Sequence, residues 1–192
     1  SVITAPVILT GGRLLTKPGY DADSRLYLAC NDPVQLPERP TVEQAQDALR
    51  FLMFPFEKFP FCSPMDKAVA LAAALTAIER PALPTAPAFG ADAPVQGSGK
   101  TLLARCWGAL ATGRDPAVTP HTAGRDDEEV RKRLMTALLG GDGVLLWDNL
   151  LGVFDSASMA GLLTSATFKD RILGKTDEQT VPNRLFVLLT GN

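Results

Sequence analysis

The stretch Ala93-Pro94-Val95-Gln96-Gly97-Ser98-Gly99-Lys100-Thr101 decides how the rest of this chain is read. An apolar segment, 86–93, precedes it and has the length of a short strand; 101–111 follows with the composition of a helix. Strand, glycine-rich turn, Lys-Thr and helix is the order in which backbone N–H groups wrap around the phosphates of a nucleotide. Gly97 and Gly99 let the chain turn tightly and approach an anion closely. The Lys100 ammonium would reach the β- and γ-phosphates as a point charge, and the Thr101 hydroxyl would coordinate Mg²⁺. The full pattern begins with glycine where this chain has Pro94. The expected nucleotide-binding positions are therefore Gly97, Ser98, Gly99, Lys100, Thr101 and Leu102. A surface turn of small residues is the competing reading.

A second stretch separates the two readings. Gly143-Val144-Leu145-Leu146-Trp147-Asp148 is an apolar run ending in a carboxylate. Loss of polar alternation marks a parallel strand buried on both faces. An acid at its carboxyl end stands where it can hold Mg²⁺ through water, opposite a phosphate loop. Either stretch alone is commonplace; in this order, with a helix, a strand and a helix between them, they point to a nucleotide site.

Composition bounds the rest. The chain has 192 residues, 46% hydrophobic and 21% charged, which is globular. Its formal net charge of −2 gives no overall field for nucleic acid, so any such contact needs a local basic feature. The three cysteines, Cys30, Cys62 and Cys106, are far apart, which suits a reducing compartment and no zinc site. The single histidine, His121, argues against a His-metal centre and against a Ser-His-Asp hydrolase. The start, Ser1-Val2-Ile3-Thr4, has neither the basic region nor the apolar stretch of a signal peptide, and no apolar run approaches membrane-spanning length, so a cytoplasmic protein without membrane contact is expected.

Along the chain, 1–40 reads as a small β appendage and a proline-rich connector. Thr41-Val42-Glu43-Gln44 is a capping box that starts a helix to about Met53, with Ala45, Ala48, Leu49 and Leu52 as its apolar face. Phe51, Phe54, Phe56, Phe59 and Phe61 follow, broken by Pro55 and Pro60; they are expected to plug a core or domain junction rather than stack on bases. Ser63-Pro64 opens a second helix to about Arg80, and 41–85 is read as a helical segment packed on the core. Beyond the phosphate loop come a short strand at 117–119, a helix at 124–139 with Val130, Leu134, Ala137 and Leu138 inward, and a helix at 156–166. A basic hairpin with its tip at 174–177 precedes a last apolar strand, 184–190, which leads to Gly191-Asn192.

The order of these motifs resembles the AAA+ ATPase core over 86–192. The hairpin before the last strand is similar to the insertion of superfamily 3 helicases, and the combination looks like ATP-binding proteins of phages and mobile elements encoded beside primase modules. The resemblance implies an α/β fold: a three-layer P-loop NTPase core with a parallel sheet in spatial order 1-4-3-2, after the β appendage and two helices. It also implies a fifth strand and a helical lid, so 86–192 reads as a core cut after the sensor strand. By resemblance Lys100 and Thr101 handle phosphate and Mg²⁺, Asp148 is the second Mg²⁺ residue, and Asn192 positions the attacking water. The family carries Glu where this chain has Asn149; asparagine can orient a water but cannot take its proton. Restoring Glu at 149 is expected to raise or preserve turnover.

The leading functional expectation is an ATP- and Mg²⁺-dependent motor on DNA, preferentially single-stranded, acting as a homo-oligomeric ring in the replication of a phage or mobile element. Lys169, Arg171 and Lys175 would contact the strand backbone from the hairpin, unless they are ordinary solvated charges; Arg171 could instead reach a neighbouring subunit's γ-phosphate. The alternative is a nucleotide-dependent loader or switch that hydrolyses poorly and recruits a primase or another replication partner. A small-molecule kinase shares the loop but would need a basic lid that is not visible.

Overall fold

A computed structural model describes residues 2–4, 6–9, 11–30, 37, 39–120, 127–171 and 178–191. Five short strands open the chain: β1 Val2–Ile3, β2 Val7–Ile8, β3 Leu14–Leu15, β4 Gly19–Asp21 and β5 Leu26–Leu28. They make a β1-β5-β4 sheet and a β2-β3 hairpin around Val7, Leu9, Leu15, Leu26 and Leu28, a small apolar cluster of their own. The stretch 2–9 thus holds two short strands, each paired with a different partner.

Two helices follow, α1 Val42–Met53 and α2 Pro64–Glu79. Both begin as their sequences dictate. Thr41 and Gln44 close a reciprocal capping box, and the Ser63 hydroxyl accepts from the Asp66 N–H with Pro64 in the first turn. Their fates differ. Ala70, Ala73, Ala74 and Ala77 of α2 are buried; methyl-sized side chains let this helix approach the core closely. No residue of α1 is buried. Ala45, Ala48 and Leu49 are exposed, and only Leu52 and Met53 touch the core cluster. Within 41–85, α2 thus carries the buried contacts, whereas α1 meets the core cluster only through Leu52 and Met53. The phenylalanines divide likewise: Phe56 is buried, Phe59 and Phe61 lean on the same cluster, and Phe51 and Phe54 are exposed.

The remaining elements are β6 Phe89–Asp92, α3 Lys100–Thr112, β7 Val118–Pro120, α4 Asp127–Gly140, β8 Val144–Leu150, α5 Ala157–Thr164, β9 Thr167–Arg171, β10 Glu178–Pro182 and β11 Phe186–Gly191. Four of the strands form one all-parallel sheet in the order β6-β11-β8-β7, so the core is mixed α/β. β9 and β10 pair with each other as the antiparallel hairpin. β6 begins later than expected because Pro84 and Pro87 lack the N–H that a strand ladder needs.

Alternation along the central strands builds two cores. Leu146, Phe186 and Leu188 face α2 and α3, among Phe89, Leu103 and Trp107. Leu145, Trp147, Leu185 and Val187 face the other way, among Val130, Leu134, Met159 and Leu162 of α4 and α5. Each such fully buried side chain contributes roughly 1.5–3 kcal/mol. Even-numbered positions on β8 and β11 thus look toward α3, which decides where Asp148 and Thr190 point.

Two polar devices tie the layers. Arg80, only 2% exposed, donates to the carbonyls of Leu185 (2.8 Å), Leu83 (2.6 Å) and Asn183 (2.9 Å) and to Asn183 Oδ1 (3.0 Å). Burial, and then the neighbouring charge of Arg184, push its pKa down; a guanidinium still keeps its proton. Asn183 in turn donates to the Leu162 and Ser165 carbonyls at the end of α5. On the far layer, Asp127 accepts the Ser156 hydroxyl at 2.5 Å, the Ser158 hydroxyl at 2.7 Å and the Ser158 N–H at 3.2 Å, fastening the start of α4 to the start of α5. The Ser156 hydrogen bond, followed by those of Ser158, lowers the Asp127 pKa.

A close approach gives a first testable consequence. A Cβ at Gly108 in α3 would lie 2.5 Å from Pro116 Cγ. Helix propensity alone makes Gly→Ala favourable by about 1 kcal/mol. Here Gly108→Ala is expected to destabilise by about 1–3 kcal/mol, the range for overpacking. Urea denaturation checks it, and a stabilised variant would show that Pro116 yields freely.

Candidate functional site

The loop after β6 delivers the expected geometry at its glycines. Gly97 and Gly99 have φ of 78° and 90°, and Gly99, in the left-handed region, is the N-cap of α3. L-residues avoid this region, so the turn depends on glycine. The Gly99 carbonyl accepts the Leu103 N–H at 2.8 Å, which starts the helix under the loop. Lys100 folds back across the loop, its Nζ donating to the Ala93 carbonyl at 3.1 Å and the Val95 carbonyl at 3.4 Å. Ser98 Oγ is buried without a hydrogen-bond partner among the described residues. Leu102, the last expected binding position, is exposed.

Thr101 and Asp148, far apart in sequence, meet. Thr101 Oγ1 donates to Asp148 Oδ1 at 2.8 Å. The same carboxylate oxygen accepts the hydroxyl of Thr190 at 2.5 Å. The physical reason is the alternation of β8 and β11: Asp148 and Thr190 stand on the face that carries Leu146 and Leu188, toward α3. These residues gather at the carboxyl ends of β6, β11 and β8, where a crevice forms in open parallel sheets.

Beside Asp148 the sheet is irregular. Trp147 lies opposite Leu189 and Leu150 opposite Gly191, so Asp148 and Asn149 together face Thr190. This is a β-bulge. Asn149 sits in it at φ 62°, and its N–H, taken out of the strand ladder, donates to Thr190 Oγ1 at 3.0 Å. Asparagine is among the few side-chain-bearing residues that tolerate this conformation. Glutamate does not, which changes what a glutamate at this position means: Asn149→Glu adds a carboxylate but strains the bulge that sets Asp148. Asn149→Gly is expected to leave stability within about 0.5 kcal/mol, and Asn149→Glu to lose about 1 kcal/mol. Equal stability of the two variants in urea would remove the backbone explanation for this residue.

Thr190 was not singled out from the sequence. The signal was present: a hydroxyl at the end of Leu185–Leu189, a run otherwise wholly apolar, must find a partner once buried. Phe59 was also missed as a neighbour of the loop. A Cβ at Gly99 would lie 3.4 Å from its ring, so the aromatic connector between α1 and α2 flanks the glycine loop.

Other expected positions fare differently. Lys169 Nζ pairs with Glu178 Oε2 at 2.6 Å across the hairpin, both side chains largely exposed; that hydrogen bond, with the charge behind it, lowers the Glu178 pKa. Arg171 is exposed on the edge of β9. Between them, Asp170 points inward and is held by Arg131 of α4 at 3.0 Å. Glu128 and Glu129 pair along α4 with Lys132 and Arg133. Asn192, Lys175 and His121 lie outside the described residues.

A cleft of about 530 Å³ opens elsewhere, at the amino ends of β7 and β8. Thr112, Arg114, Asp115, Arg133, Thr136 and Asp142 line it, and none of the expected site residues does.

No protein-family model and no curated protein matches this chain. What the site can do rests on its own chemistry. Its donors suit a nucleoside triphosphate with Mg²⁺. The Thr101 hydroxyl and the Asp148 carboxylate are hard oxygens. A buried hydroxyl without a partner, Ser98, stands in a loop whose turn requires two positive-φ glycines. Among the described residues no three His, Cys, Asp or Glu cluster as a metal site, and no helix is long and apolar enough to cross a membrane.

Proposed function

We propose that this chain is an ATP-binding and hydrolysing module of the AAA+ type that acts on DNA. The single observation that carries the reading is the convergence of Thr101 on Asp148 beside a glycine loop bearing Lys100. Further support comes from the strand order, with β11 inserted between the loop strand β6 and the acid strand β8. Lys100 would exchange the Ala93 and Val95 carbonyls for β- and γ-phosphate oxygens, and the loop N–H groups and Ser98 would receive the rest. Thr101 and Asp148 would hold Mg²⁺, which supplies neutralisation of the phosphate charge. Asn192 would orient the attacking water.

The DNA part of the proposal rests on the hairpin. Arg171 is its exposed cation among the described residues of β9 and β10 that carries no ion pair, whereas Lys169 is engaged by Glu178. Arg171 therefore matters more to this reading than Lys169, and Lys175 remains a proposed contact. A second reading, a slow nucleotide-dependent loader, is favoured by one feature: the position after Asp148 carries asparagine in a strained bulge rather than a carboxylate.

The experiment is ATP turnover with and without single-stranded DNA. A motor is expected to be stimulated several-fold, and Asp148→Ala to eliminate turnover in both conditions. Turnover that ignores DNA, with ATP binding intact, selects the loader. Undiminished turnover in Asp148→Ala removes the site.

A further inference from the structure

We propose that Thr190 is a positioning residue that aims the Asp148 carboxylate at the phosphate loop and thereby sets Mg²⁺ affinity; this rests on the nucleotide-binding reading above. Thr190 is 2% exposed, so its hydroxyl is not placed for solvent. Its hydrogen bonds have a fixed direction. Thr190 Oγ1 accepts the N–H of Asn149 at 3.0 Å, and a hydroxyl has a single proton to give. That proton goes to Asp148 Oδ1 at 2.5 Å, since an ionised carboxylate only accepts. Oδ1 also receives the Thr101 hydroxyl at 2.8 Å. Two donors on one oxygen fix the rotation of the carboxylate and orient Oδ2 away from both of them.

The bulge makes the arrangement directional. Because Asp148 and Asn149 together oppose Thr190, the Asn149 N–H leaves the ladder and occupies the threonine lone pair. The hydroxyl is thus committed to Asp148 rather than free to rotate. A water-bridged cation is sensitive to such orientation, since outer partners that fix a ligand's rotamer commonly change metal affinity by about 10–100-fold when removed.

Thr190→Val keeps the size and shape of the side chain and removes the hydroxyl; Thr190→Ser keeps the hydroxyl. The probe is a non-hydrolysable ATP analogue, titrated calorimetrically in excess Mg²⁺ and in chelator. The wild-type chain is expected to bind at least about tenfold more tightly with Mg²⁺. T190V is expected to lose most of that increment while its affinity in chelator stays within twofold, and T190S to retain it. A merely structural threonine would not split the two conditions. A full Mg²⁺ increment in T190V overturns the inference and leaves the nucleotide site standing. Wild-type binding in chelator with no Mg²⁺ increment overturns it too, since no metal is then held. Wild-type protein that binds in neither condition overturns the nucleotide reading itself, and this inference with it. If T190V does not fold, Thr190→Ala is compared alone and in the D148N background. Loss of the increment alone, with no further change when D148N is present, supports the coupling; equal losses in both backgrounds oppose it.

Discussion

Lys100→Ala is expected to weaken ATP binding at least about a hundredfold while leaving folding stability within about 0.5 kcal/mol. A hundredfold corresponds to roughly 2.7 kcal/mol, within the range for a hydrogen bond that carries a charge. The asymmetry between binding and folding follows from where the ammonium sits. It bonds two loop carbonyls, those of Ala93 and Val95, at a half-buried position where water can replace it. The affinity loss is read by calorimetry and the stability by thermal unfolding. Affinity retained within a few-fold would end the phosphate-loop assignment. A collapse in stability would mean that Lys100 holds the loop together and does not primarily receive phosphate.

The largest expected effect on folding lies elsewhere, at Arg80. Arg80→Leu is expected to destabilise the chain by about 3–5 kcal/mol. The leucine fills much of the volume but strands the carbonyls of Leu83, Asn183 and Leu185 and the Asn183 amide oxygen, which the guanidinium now satisfies. Buried acceptors left unpaired cost about 1–3 kcal/mol each before relaxation. Arg80→Lys is expected to recover little, since an ammonium cannot reach divergent acceptors as a planar fork does. Urea denaturation followed by tryptophan fluorescence suits the test, because Trp107 and Trp147 report on opposite faces of the sheet. A loss under about 1 kcal/mol would show that water satisfies these carbonyls.

These two residues mark the boundary of what a sequence shows. The Lys100 loop was legible because its chemistry is written within a few adjacent positions. The same holds for the caps at Thr41 and Ser63. The buried strands were legible because β8 and β11 carry no polar alternation. Arg80 was not, because all but one of its acceptors belong to Asn183 and Leu185, more than a hundred residues away. The amphipathic pattern of α1 marks a helix, yet its apolar face is exposed at Ala45, Ala48 and Leu49; periodicity gives a face but says nothing of a surface to receive it. Of the five phenylalanines at 51–61 only Phe56 is fully enclosed, a choice made by the position of α2 and α3. The pairing of Lys169 with Glu178 depends on which residues the hairpin places together, and the role of Asn149 depends on a φ angle that spacing does not encode.

One property of β11 has a consequence for how the sheet is specified. A strand with one polar face cannot slide by a single residue without burying what should be wet. β11 is apolar on both faces from Phe186 to Leu189, so hydrophobicity alone does not set its register against β6 and β8. The stops are polar and sit at its two ends. Arg80 grips the Leu185 carbonyl before the strand begins, and Thr190 grips Asp148 and the Asn149 N–H where it finishes. A slip by one residue would carry Thr190 to the opposite face, away from both partners. The threonine bonded to Asp148 therefore also indexes the central strand: the register that pairs β11 with β8 is the one that brings Thr190 to both partners.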